Sequence, residues 1–258
     1  MRLSSLRRDA TLALSLCALA ASFAVSAQEW KPGSPGVWGL GIGAGVERLP
    51  YTGIDANSRL VPLLTYDSEY FRFSGLSADW KFARTEQFTF ALRGKYGLGD
   101  GYEADDAPIL AGMDERKGSF WLGVAATWNA DFVKLSFEVL SDVSGHSKGT
   151  RARLGIERNF TAGRFVLTPR ASVLWTDRKY VDYYYGVTGA EATASRAAYE
   201  GRSTANLQAS LRTAYMLDAH QSLFLDVSAT ALGKEIKDSP LVDKNVIPAV
   251  AMGYLYRF

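Results

Sequence analysis

The sequence predicts an all-β chain folded as a closed antiparallel transmembrane β-barrel, and three observations carry that expectation. The first is strict alternation. From Val246 to Phe258 every second residue (Val246, Pro248, Val250, Met252, Tyr254, Tyr256, Phe258) is apolar or aromatic, and a period of two puts one greasy row on one face of a strand. The second is the rhythm of the connections, which alternate between tight turns (67–69, 84–86, 129–131, 161–163, 218–221) and mostly long loops. Outer-membrane barrels keep short turns in the periplasm and long loops outside the cell. The third is that no run of eighteen apolar residues follows residue 27, so no transmembrane helix is expected. Charges recur inside the strand-like segments instead. Alternation is the physical answer for a chain that must face lipid, because only a closed barrel satisfies every strand backbone group there.

The front of the chain sets the expected compartment. Arg2, Arg7 and Arg8 form a charged region, Thr11 to Val25 an apolar one, and Val25-Ser26-Ala27 offers the small residues a signal peptidase reads. Residues 1–27 are therefore expected to be a cleaved signal peptide, and 28–258 the barrel domain. Cys17 would suit a lipoprotein, but Leu16 stands where lipid attachment wants Gly, Ala or Ser. Cys17 then leaves with the signal, and export without disulfides fits a Gram-negative envelope. Cleavage removes three Arg and one Asp and leaves 26 charges of each sign. The slightly basic pI thus belongs to the signal, and no nucleic-acid argument survives it.

After a Pro/Gly lead-in at 31–36, the first strand, 37–47, sets Trp38, Leu40, Ile42, Ala44 and Val46 against Gly39, Gly41, Gly43 and Gly45. This GLGIGAG stretch lacks the third Gly of a dinucleotide loop and no helix follows; inward glycines leave room in a narrow lumen. A loop at 48–58 leads to strand 60–66. Residues 70–74 and 76–83 read as a tight hairpin through Gly75. Residues 87–98 carry Phe88, Phe90, Leu92 and Tyr96 outward, with Arg93 and Lys95 inward. A long acidic loop, 99–117, follows. Phe120, Leu122, Val124, Ala126 and Trp128 alternate along the next strand, and 132–140 sets Lys134 and Glu138 opposite Val133, Leu135, Phe137 and Val139. A Gly/Ser loop at 141–149 precedes strand 150–160, which brings Arg151, Arg153 and Glu157 onto one face. Strand 164–177 turns Phe165, Leu167, Ala171, Val173 and Trp175 outward. Beyond the largest loop, 178–202, strands 205–217 and 222–232 pair across 218–221, and 233–244 leads to the last strand. An even count with both termini periplasmic gives twelve strands, or ten if the 70–83 hairpin is misread.

The in-strand charges Arg93, Lys95, Lys134, Glu138, Arg151, Arg153, Glu157, Arg170 and Arg212 fall opposite the apolar face and are expected to face the lumen. Both signs are present, so they can pair across it, and side chains should largely fill so small an interior. Tyr254, Tyr256 and Phe258 put aromatics where membrane meets water. They look like the C-terminal signal by which the barrel-assembly machinery recognises its substrates, with outer-membrane lipid as the other partner.

Chemistry is sparse. His146 lies in a loop with Ser144, Ser147 and Asp142, a nucleophile-plus-base set for which sequence places no third orienting group; His220 falls in a tight turn. No Cys/His spacing suits a metal, and Asp105, Asp106, Asp114 and Glu115 read as a solvated acidic loop rather than a cation site. Neither an enzyme nor a cofactor is expected. Thr188-Gly-Ala-Glu191 fits a capping box, which predicts a short helix over about 189–197 flanked by Tyr183, Tyr184, Tyr185 and Tyr199. With Thr188 and Glu191 these tyrosines would form either an external docking site or loop packing over the barrel mouth, where tyrosine supplies an apolar body and a polar tip.

This loop also carries a resemblance. Tyr183-Tyr-Tyr-Gly-Val-Thr188, Glu191-Ala192, Ser195-Arg196 and Ala198-Tyr199 are similar to segments of the MipA/OmpV family of outer-membrane proteins. So are 38–45, Tyr51-x-Gly53, 114–118, 140–145, 239–244 and 253–258, which extends the match over nearly the whole mature chain. The resemblance implies a non-enzymatic barrel in the outer membrane of a Gram-negative bacterium. It further implies a scaffold that brings a murein-lytic transglycosylase together with a penicillin-binding protein in cell-wall growth. Other members look like narrow porin-like channels or surface adhesion proteins. Periplasmic partners would reach only the short turns and the termini.

Overall fold

The computed structural model describes residues 36–54, 56–97 and 100–258; the expected signal peptide lies outside them. Its strands, in chain order, are β1 (Val37–Arg48), β2 (Ala56–Asp67), β3 (Phe71–Ser74), β4 (Ser77–Arg84), β5 (Phe88–Tyr96), β6 (Phe120–Asn129) and β7 (Lys134–Asp142). β8 (Thr150–Glu157), β9 (Phe160–Ala162), β10 (Phe165–Thr176), β11 (Thr204–Met216), β12 (Gln221–Ala231) and β13 (Val246–Arg257) complete the set. Sequential strands pair antiparallel, and β13 returns to β1 with Gly39 opposite Arg257, so the sheet closes. β8 and β9 both lie against β10, with a break at Arg158-Asn159 between them, and act as one stave. The result is a closed twelve-stranded barrel, and the 70–83 hairpin is real.

Alternation sorts the side chains. On β1, Trp38, Leu40 and Ile42 are about half exposed while Gly39, Gly43 and Gly45 are buried. Outward rows of Leu, Val, Phe and Trp continue round the wall. So large an apolar exterior is foreign to a water-soluble monomer and natural in lipid. Aromatic pairs gather at the short-turn end: Trp38–Tyr66 (4.5 Å), Phe88–Trp128 (5.8 Å), Phe165–Tyr215 (4.9 Å) and Tyr256–Phe258 (5.1 Å). They form the girdle that amphipathic rings make at a membrane–water boundary.

The rim is uneven. β3 meets β2 only from Thr65 to Asp67, and the hairpin turn bonds back through Gly75 N–H to the Leu64 carbonyl (3.1 Å). Beyond it, residues 56–63 of β2 have no ladder partner on that side among the described residues. Pro62 lies in that stretch, two residues from Leu64 and so on the same open edge; proline, having no N–H to donate, is tolerated at edges.

One sequence expectation needs correction. No helix forms over 189–197; the helix is α1 (Arg178–Tyr185), on the tyrosines that were to flank it. Asp177 caps α1, its carboxylate accepting from Tyr180 N–H at 2.9 Å. Thr188 does bond Glu191, its N–H and its hydroxyl both donating to the carboxylate, but the chain then closes into a turn with Thr193 bridged to Arg196. The acidic loop keeps its carboxylates in solvent as expected, with Asp105, Asp106, Asp114 and Glu115 exposed, but it also has an apolar side. Tyr102, Ala107, Leu110 and Met113 inside it are buried, because its apolar residues have other loops to pack on. A second short helix, α2 (Lys234–Lys237), lies before β13.

Candidate functional site

Four long connections meet over one end of the barrel. Tyr51, Tyr102, Ala107, Leu110, Met113, Val187 and Leu241 share one apolar core. α1 presses Val181 and Tyr184 inward, both fully buried. The Tyr184 hydroxyl donates to the Lys117 carbonyl (3.1 Å) and meets Ser119 Oγ (3.1 Å), while the Tyr51 hydroxyl donates to the Tyr184 carbonyl (3.2 Å). Ser239 Oγ donates to the Tyr185 carbonyl (2.6 Å) and Lys244 Nζ to the carbonyls of Tyr51 and Ile54. Every loop is thus tied to another by a polar contact as well as by packing.

The hub of this lid is ionic. Arg116 Nη2 donates to both carboxylate oxygens of Glu191 (2.8 and 3.0 Å), and its Nε to the Tyr183 carbonyl (2.8 Å). Burial alone would raise the Glu191 carboxyl. Hydrogen bonds from the N–H groups of Thr188 and Asp114, the Thr188 hydroxyl and Arg116 outweigh it and hold the pKa at about 2. Arg196 fastens the same turn, donating to the carbonyls of Glu191, Ile109 and Ala111.

Below the lid the lumen is crossed by charge. Trp121 is fully buried, with the Arg151 guanidinium 4.2 Å from its ring centre and Tyr180 5.8 Å away. Arg93 forks onto Asp79 (2.7 Å twice) and reaches Glu138 (2.5 Å). Glu157 takes Lys134 (2.9 Å) and Arg170 (3.1 Å), and Asp226 takes Arg170 (3.8 Å) and Arg212. Between these ladders lies a polar cavity of about 150 Å³ lined from β3 to β11. Buried charges are tolerated only when paired and hydrogen-bonded, and this interior largely meets that condition.

A family model described as MltA-interacting protein MipA matches residues 40–258 of this barrel. The chain belongs to the MipA family. It is 27% identical over 221 residues to YiaT of Escherichia coli O157:H7, covering 85% of this chain and 90% of that protein. It is 26% identical over 229 residues to the MltA-interacting protein of Escherichia coli strain K12, covering 86% and 91%. To outer membrane protein OmpV of Vibrio cholerae it is 29% identical over 147 residues, 57% of each. This MipA-family protein is an outer-membrane barrel.

Within the MipA-family chain, the residues singled out from sequence lie in two groups. Arg93, Lys95, Lys134, Glu138, Arg153, Glu157 and Arg170 line the cavity; Arg151 sits under the lid beside Asp100, and Arg212 beside Asp226. Of Tyr183, Tyr184, Tyr185, Thr188, Glu191 and Tyr199, only Thr188 is exposed. The others pack inside the lid, Tyr185 stacked on Tyr51 (5.7 Å) and Tyr199 donating to the Glu235 carbonyl (2.6 Å). Tyr254, by contrast, bonds Gln221 at the short-turn end (2.8 Å). His146 Nδ1 lies 3.0 Å from the Gly118 carbonyl, while Ser144 Oγ donates to Asp142 (2.5 Å). Asp142 also gathers Ser119, Ser147 and three further backbone N–H groups beside that of Ser144, which closes a loop. Sequence reasoning missed Asp79 and Asp226, although period two sets them opposite Trp80 and Leu225. It also missed Arg116, which enters only as part of the 114–118 segment.

Proposed function

We propose that this MipA-family barrel is a non-enzymatic outer-membrane platform that docks a murein-lytic transglycosylase and, with it, a penicillin-binding protein. The observation that carries the reading is the double closure: ion pairs cross the lumen, and an interlocked lid covers its mouth. A barrel so filled is suited to presenting a surface rather than passing solutes. One relative bears the name MltA-interacting protein. The docking face is the short-turn end, where Glu86 and Asp131 are exposed on separate turns.

Immobilised murein-lytic transglycosylase should retain the detergent-solubilised barrel. The pair Glu86→Lys and Asp131→Lys should weaken retention at least tenfold without altering heat-modifiable gel mobility. Retention no better than that of an unrelated barrel removes the scaffold reading. A narrow channel is the second reading, supported by the 150 Å³ polar cavity; discrete conductance steps in planar bilayers would put it first.

A further inference from the structure

We propose that the lumen cavity is a binding site for a small oxyanion, inorganic phosphate or a compact carboxylate, held by Lys95 and Arg153. Charge is the first argument. The cavity is lined by six cationic side chains and only three carboxylates, Asp79, Glu138 and Glu157. All three carboxylates are engaged: Asp79 and Glu138 by Arg93, and Glu157 by Lys134 and Arg170. Two cations are left without an ion pair of their own, sharing as counter-charge only Glu138, which Arg93 already holds. Arg153 makes no ion pair among the described residues; it donates to neutral partners, Ser172 Oγ (3.2 Å) and Gln208. Lys95 has neither a hydrogen bond nor an ion pair among the described residues, and it shares the cavity with Arg93 and Arg153. A cation inside a protein is costly without a counter-charge. An oxyanion between Lys95 and Arg153 supplies that charge, with Arg153 offering planar N–H donors and Lys95 a point charge.

Size and access narrow the ligand. Sites for drug-sized molecules run from about 300 to 1,000 Å³; about 150 Å³ admits a few heavy atoms. Lys134 at the foot of β7 and Arg72 beside the β2–β3 turn place one end of the cavity at the short turns. Toward the lid, the buried Trp121 stands opposite Lys95 in the sheet and packs on Tyr180. The anion therefore enters from the periplasmic side and leaves the same way. None of this depends on the docking role.

The test uses the full barrel, refolded in a maltoside detergent, with inorganic phosphate as probe against chloride at equal ionic strength. Phosphate should raise the unfolding midpoint saturably, as a ligand of the native state does. Lys95→Gln and Arg153→Gln should each weaken apparent phosphate affinity at least tenfold, and malonate should compete. Lys148→Gln, on an exposed loop, should leave it unchanged. If a neutral variant fails to reach the heat-modifiable form, Lys95→Arg and Arg153→Lys take its place: charge is kept, donor geometry changes, and affinity should change with it. Equal effects of phosphate and chloride on the parent barrel overturn the proposal. So does a phosphate effect that survives the Lys95 and Arg153 substitutions.

Discussion

Arg116 and Glu191 show what one pair of side chains can hold. They lie 75 residues apart, both nearly buried, and join the second and third of the long loops that meet over the mouth. Removing one partner of a buried pair costs about 3–5 kcal/mol, because the other charge is stranded. Arg116→Met should therefore loosen the lid and raise protease cleavage within 100–117 at least tenfold, while the barrel stays folded. The pH dependence follows from Glu191, whose pKa falls from 4.5 to about 2 on folding. A depressed carboxyl contributes stability that is fully present above its unfolded pKa and is lost as pH falls through the folded one. The lid should remain protected at pH 5, weaken between about 4.5 and 2, and have lost this contribution below 2; a pH series of proteolysis checks it. Glu191 and Tyr184 stood out in the sequence as residues, but nothing local names a partner so far along the chain.

Elements were more legible than contacts. Strands announce themselves because lipid and lumen impose opposite demands on alternate residues, and that period survives in 37–47 and 246–258 without any knowledge of neighbours. α1 was misplaced for a definable reason. The Thr188 N–H donates to the Glu191 carboxylate as in a capping box, but the Thr188 hydroxyl donates there too instead of capping a backbone N–H, Arg116 claims the same carboxylate, and the backbone turns instead of coiling. The better signal was Asp177 at the start and Gly186 at the end of an eight-residue stretch. At the seam, β1 runs so close to β13 that a Cβ on Gly41 would collide with the Tyr254 carbonyl oxygen. Gly41→Ala should cut the yield of folded, heat-modifiable barrel several-fold, since neither strand can retreat without breaking closure. Gly189→Ala, with open space around it, should fold like the parent.

For the molecule as a whole, the same alternation predicts which tryptophans touch lipid. A variant retaining only Trp128, 40% exposed and stacked in the aromatic girdle, should be strongly quenched by brominated phospholipid. One retaining only Trp121, with no exposed surface, should not be; equal quenching would mean that the inside and outside of the wall have been confused. The four-residue β3 bears on the membrane itself. Where its neighbour β2 has one edge unpaired through 56–63, its other edge held by β1, peptide groups on the open side confront hydrocarbon that can offer them no hydrogen bonds. The outer leaflet must sag there, letting headgroups and water down to meet them, at a modest cost for each ångström of thinning. A cylinder otherwise alike from every bearing thus acquires a front, and molecules drifting in the plane of the bilayer will find it by the dip.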